Sequence, residues 1–384
     1  MKEAARTADA CSPQPSGESG GSARPNGDEE PTRADGGRAY DSGVTIPAPD
    51  LDPRHDPGAT GARERAAAAG DAGAEPIAVG DHAIRVGTAS WTDPSMTAAG
   101  VFYPAGADSA EERLQYYASQ FPLVEVDATY YALPVPRVAE LWRERTPPDF
   151  MFDVKAHALL TGQPSETKRL PKDIRTALPE PLASKARLYA RDLPPDVADE
   201  IWARFRDGLE PLRTGGQLGS VLLQYPRWVF PSSENRDAIL EARDRLAGLT
   251  VAVEFRHGSW FNEKNAERTL RFLTDHRLPL VVVDGPQGFG SSLPVVIAAT
   301  SPDLAVVRFH GRRTATWEAT GIATVERFRY LYDRDELGEW VPRIRELASH
   351  ARETHVLMNN CYANYGSTNA REIAALLELG AGET

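Results

Sequence analysis

Eight short apolar runs, recurring from residue 84 onward between segments of helical periodicity, constrain this chain more than any other feature. They are IRVGT (84–88), VEVDATYY (124–131), FMFDVKA (150–156), VLLQYP (221–226), VAVEFR (251–256), LVVVD (280–284), AVVRFHG (305–311) and HVLMNN (355–360). Most are rich in β-branched or aromatic residues, and all are too short for a buried helix. Between most of them lie amphipathic segments. Ser109-Ala-Glu-Glu112 reads as a capping box opening a helix with Leu114, Tyr117, Ala118 and Phe121 on one face. Leu337, Trp340, Val341, Ile344 and Leu347 trace a second stripe, and Thr368 or Asn369 is placed to cap a last helix carrying Ile373, Leu376 and Leu377. Alternating strands and helices imply a parallel sheet with both faces covered, and eight such units imply a single (β/α)8 TIM-like barrel. An open doubly wound sheet is the alternative, but the turn after the first run, TASWTDPS (88–95), lacks a nucleotide-binding glycine pattern.

Residues 1–80 differ in texture. They are dominated by Gly, Ala, Pro, Ser, Arg and acidic residues, with Tyr40 the single aromatic, and are expected to form a disordered tail. The barrel domain is expected over 81–384, interrupted by an excursion at about 157–217. Within it, Ile201, Phe205, Leu209 and Leu212 mark a helix, while 162–195 reads as a surface excursion that either covers the barrel mouth or is solvated, the second being favoured. Two cysteines, Cys11 and Cys361, are too few for a disulfide framework, and no apolar run is long enough to span a membrane. A cytoplasmic protein without membrane attachment is expected. The formal net charge of −12 argues against nucleic acid as a partner.

Alternation sorts the polar residues within each run. In the fifth, bulky Val251, Val253 and Phe255 belong against helices, which turns Glu254 and Arg256 toward the barrel axis. The same sorting turns Glu125, Asp127, Thr129, Asp153, Lys155, Gln224, Asp284, Arg308, His310 and Asn360 inward. Most lie in the C-terminal half of their runs, where barrel enzymes assemble their sites. Buried charges need partners, water or ligand. Glu125 with Lys155, and Glu254 with Arg256, could equally be internal ion pairs. Trp91, Tyr131 and Trp260 frame the same end and suit stacking against a flat ligand face or plain packing. The turn Gly311-Arg312-Arg313 reads as an anion-binding loop or as ordinary surface charge.

From about Ile84 to Leu379 the chain resembles the YecE-like family, a domain of unknown function. The stretches that carry this are VGTASW (86–91), FYP (102–104), VEVDATYY (124–131), FDVKA (152–156), LLQYP (222–226), VEFRHGSWF (253–261), VRFHGR (307–312) and NNCYANYGSTNA (359–370). The resemblance implies a TIM-like barrel and supplies no reaction. Asp127 stands where the family usually has Asn, Ser90 where it has Gly, and Cys361 where it has other residues.

The leading functional expectation is acid–base catalysis, hydrolysis or isomerisation, on a small polar or anionic substrate such as a sugar or sugar phosphate, with no redox cofactor. Glu254 is the candidate base, with Glu125 or Asp284 as the acid and His310 as a proton relay. Lys155, Arg256 and Arg308 would bind anionic groups, and Gln224, Asn359 and Asn360 hydroxyls. One alternative is a divalent metal held by Glu125, Glu254, Asp284 and His310. Another is a non-enzymatic nucleic-acid or ligand-binding module.

Overall fold

In the computed structural model, which describes residues 52–379 apart from 99, 320 and 323, the eight runs become eight strands. They are β1 (His82–Thr88), β2 (Leu123–Val126), β3 (Met151–Lys155), β4 (Leu218–Gln224), β5 (Val251–Glu254), β6 (Val281–Asp284), β7 (Leu304–Phe309) and β8 (Glu353–Met358). They pair in the order β5-β4-β3-β2-β1-β8-β7-β6, every neighbour parallel. A parallel bridge from Val253 to Leu280 joins the two ends and closes the ring.

β2 meets β1 at only two positions, Gly87–Leu123 and Thr88–Val124. Gly87 is required there, because a Cβ would stand 2.0 Å from the Leu123 carbonyl oxygen. Lower down, a short antiparallel strand, Ile77–Val79, covers the N-terminal part of β1.

The helices are α1 (Pro57–Ala69), α2 (Ala110–Ala118), α3 (Pro136–Glu144), α4 (Pro195–Thr214), α5 (Ser233–Arg245), α6 (Ala266–Asp275), α7 (Val341–Ala348) and α8 (Tyr365–Leu379), with shorter turns between. The Ser109 capping box forms as expected, with reciprocal hydrogen bonds between Ser109 and Glu112, and α4 buries Ile201, Phe205, Leu209 and Leu212. The stripe from Leu337 to Leu347 divides between a short helix, Arg334–Gly338, and α7.

Four sequence expectations change. The unit between β6 and β7 has no helix: residues 285–303 form an irregular connection. Thr368 and Asn369 do not cap α8; they lie inside it, bonded to Ala62 and Tyr332. The excursion is packed rather than solvated, burying Leu159, Leu160, Leu170, Ile174, Leu178, Leu188 and Leu193 around a two-residue ribbon. Lastly, the folded part begins before residue 80. α1 buries Ala59 and Ala62 against Val101, Tyr362 and Tyr365, and small alanines suffice because the opposing aromatics supply the area. Residues 1–51 of the expected tail lie outside the described residues.

Candidate functional site

The C-terminal ends of the strands carry a connected ionic network. Arg308 of β7, fully buried, donates to Glu254 Oε2 on β5 at 2.5 Å and to Glu125 Oε1 on β2 at 2.7 Å, crossing the barrel. Such a buried cation is tolerable only with carboxylates on its fork. Glu254 also receives Gln224 Nε2 at 2.8 Å and lies 2.5 Å from Arg256 Nε and 3.3 Å from His310 Nε2. His310 Nδ1 lies 2.7 Å from Asn359 Nδ2, and its Nε2 lies 3.1 Å from Arg256 Nη2. Lys155 pairs with Asp127 at 2.7 Å, not with Glu125, and lies over the Tyr130 ring.

The two glutamates have diverged. Burial alone would raise Glu254, but Arg256 and Arg308 hold its pKa well below the ordinary carboxylate range. Burial of Glu125 outweighs Arg308 and Lys155 and pushes it up to about 7. Its Oε2 has no hydrogen-bond partner among the described residues. Burial also pushes His310 down to about 3, with the Arg256 charge reinforcing it, so the ring is neutral. The Cys361 thiol is driven well up by burial and is no nucleophile at neutral pH.

Beside this network opens a cleft of about 540 Å³. Gln224 and Arg256 line it and connect it directly to Glu254. Its other walls come from Gln163 of the excursion, Arg227 and Trp228 after β4, and Trp317, Arg327 and Phe328 after β7. Another cleft of about 530 Å³ lies between α1 and α8, and none of the network's side chains lines it.

Glu125, Glu254, His310, Lys155, Arg256, Arg308, Gln224 and Asn359 are therefore gathered at the mouth as the sequence suggests. Five candidates are not. Asp284 pairs in register with Phe309 and shares its outward face, where Tyr332, Trp340 and Arg312 donate to its carboxylate. Asn360 is likewise turned away, donating to the Tyr330 carbonyl and Asn369. Trp260 is fully buried, stacked on Phe255 with its indole N–H on the Val229 carbonyl. Trp91 packs edge-on against Trp142. Tyr131 is exposed, with Arg169 over its ring, but does not line the cleft. Arg312 and Arg313 are occupied by Asp284, Glu336, Glu339 and Glu326, so the expected anion loop is neutralised from within. With Asp284 outside and Arg308 bonded to both glutamates, the four expected metal ligands do not converge. Among the described residues no group of three or more such side chains could hold a metal ion.

Sequence reasoning missed Gln163, Arg227, Trp228, Trp317, Arg327 and Phe328. Arg227 and Trp228 directly follow the fourth run and were within reach of the rule that favours strand ends. Nothing in the sequence marks Arg327 and Phe328, which reach the mouth from a loop of short turns. His355 was also missed: it bonds Asp153 at 2.8 Å in a buried polar layer with Ser220.

A closed parallel barrel whose strand ends converge on paired carboxylates and guanidinium groups defines a TIM-barrel protein with a charged mouth. The family profile described as "Protein of unknown function DUF72" matches residues 85–383, and the chain belongs to this family. It is 30% identical over 299 residues to the UPF0759 protein YunF of Bacillus subtilis, covering 77% of this chain and 95% of that one. It is 27% identical over 203 residues to the UPF0759 protein YecE of Escherichia coli K12, covering 52% and 59% respectively. Among solved structures, a DUF72 family protein of Thermotoga maritima aligns with a TM-score of 0.61 at 30% identity, over 77% of this chain and 99% of that one. One from Enterococcus faecalis aligns at 0.60 and 24% identity, over 77% and 95%, and shares the fold. No helix among the described residues is long and apolar enough to cross a membrane.

Proposed function

We propose that this protein is a cytoplasmic enzyme performing acid–base chemistry on a small anionic, hydroxylated substrate of the sugar phosphate class, without a redox cofactor. The observation that carries this reading is Glu125: a carboxyl with one oxygen on Arg308, the other unpartnered, and a pKa of about 7. Such a group is divided between acid and base forms at working pH, where proton transfer is most efficient. Two carboxylates pushed apart in pKa is also the usual way to separate acid–base from electrostatic roles. Glu254, expected as the base, is too well stabilised as an anion to accept a proton at neutral pH. Its role becomes organisational, holding Arg256, Arg308 and Gln224 in place. His310, beside Asn359 and held neutral by its pKa of about 3, serves as an uncharged hydrogen-bonding group rather than a proton acceptor. Arg256 presents positive charge to the cleft, suited to an anionic substrate or developing oxyanion.

The test is a panel of sugars and sugar phosphates incubated in deuterated buffer and followed by NMR for isomerisation, solvent exchange or hydrolysis. Glu125→Gln is expected to lower kcat at least a hundredfold and to remove the pH-profile limb near 7. Undiminished turnover by that variant rejects the reading.

A further inference from the structure

Two guanidinium groups at the rim of the cleft are not used by the ionic network. Arg227 is exposed and makes no hydrogen bond or ion pair among the described residues. Arg327 is half-buried and donates to the Trp317 and Ala319 carbonyls, without a carboxylate partner among the described residues. Burial and the neighbouring charge of Arg227 both push the Arg327 pKa down, so the two cations feel one another across the same opening. Like charges held close raise each other's energy, and an anion between them reverses the sign. Glu318 also lines the cleft, where its carboxylate accepts the Ser291 hydroxyl.

Deeper in, flat rings replace charge. The Arg256 guanidinium lies 5.8 Å from the Trp317 ring centre. His310 lies 6.3 Å from Trp317 and 6.2 Å from Phe328. The cleft thus runs from a cationic rim, along an aromatic wall, to Arg256 and Gln224, the two lining residues that touch buried Glu254. Its volume of about 540 Å³ suits one small ligand rather than a polymer.

We propose that Arg227 and Arg327 clamp the phosphate of a phosphorylated sugar, whose ring lies along Trp317 and Phe328 and whose reacting end points toward Arg256. This rests on the acid–base reading of the same cleft and adds the substrate's polarity: phosphate at the rim, chemistry at the floor. Guanidinium forks match phosphate oxygens bidentately, so the clamp supplies affinity for the phosphate end and orients the rest.

Isothermal titration calorimetry on the full chain would use glucose 6-phosphate, glucose, AMP and inorganic phosphate as probes. Glucose 6-phosphate is expected to bind at least tenfold more tightly than glucose, and tighter than AMP. The double variant R227A/R327A, with unchanged circular dichroism, is expected to erase the preference over glucose. Equal binding of glucose and glucose 6-phosphate, absence of binding by any probe, or a preference that survives the double substitution overturns the clamp. Tighter binding of AMP overturns the sugar assignment. Glu125→Gln is expected to bind glucose 6-phosphate as the unaltered protein does. The clamp can therefore fail while the acid–base reading stands, or stand while Glu125→Gln turnover refutes that reading.

Discussion

Glu125 and Ser90 are the residues whose environments make the sharpest demands. Glu125 keeps its proton in the fold to about pH 7, against 4.5 for an ordinary glutamate. The folded state therefore binds more protons than the unfolded one across that window, and stability from this group falls as pH rises through it. Glu125→Gln removes the slope. The melting temperature of the variant relative to the unaltered protein is expected to climb between pH 5 and pH 7.5 in scanning fluorimetry, and a constant difference would contradict the raised pKa. Ser90 has φ of 117°, a region in which side chains are strained and glycine is not. Its resemblance-based counterpart is glycine, so Ser90→Gly is expected to stabilise the protein by about 1 kcal/mol in urea unfolding. Arg308 works the other way. Replacing it with Met leaves buried Glu125 without its hydrogen-bonded cation and Glu254 with Arg256 alone, and is expected to cost about 3–5 kcal/mol at neutral pH by the same measurement.

At the scale of elements, α1 is the main addition to the barrel, lying ahead of the residues that match the family. Asp56, buried at its N-cap, accepts the Gly58 amide, the Tyr362 hydroxyl and the Arg329 guanidinium, each at 2.7 Å. Asp56→Ala removes the helix cap and a charged partner together. A loss of about 1–3 kcal/mol is expected. Faster exchange of the α1 amides in hydrogen-exchange mass spectrometry is expected with it, and protection equal to the unaltered protein would show that the alanines alone hold the helix. The sequence hid this element because an alanine-rich stretch with no large apolar residue looks unable to bury area. What makes it fold is the aromatic surface of Tyr362 and Tyr365, over 300 residues further on. The packed excursion was obscured by its many prolines and charges, with its leucines scattered among short turns rather than set on one long helix.

For the whole molecule, the weak place is the seam. β5 and β6 are joined by one bridge, Val253 to Leu280, whereas β7 and β8 pair over six positions. The amides of Val251–Glu254 and Val281–Asp284 are expected to exchange before those of β8, since opening there breaks the fewest hydrogen bonds. Protection greatest at the seam would contradict that order. The cleft lies close to this side of the ring, with Arg256 just past β5, so ligand binding is expected to slow the same amides.

Strand number, parallel closure and the gathering of Glu125, Lys155, Glu254, Arg256, Arg308 and His310 at one end were determined by the sequence itself. Short apolar runs between helical segments can bury both faces in few ways, and polar residues placed late in each run have one destination. Which side Asp284 and Asn360 face, which acid pairs with Lys155, and the arrival of Arg327 and Phe328 were decided by tertiary structure alone. Alternation orders residues within a strand but leaves its rotation undetermined until neighbouring strands and helices pack against it. Pairing between charges likewise depends on contacts that no spacing along the chain encodes.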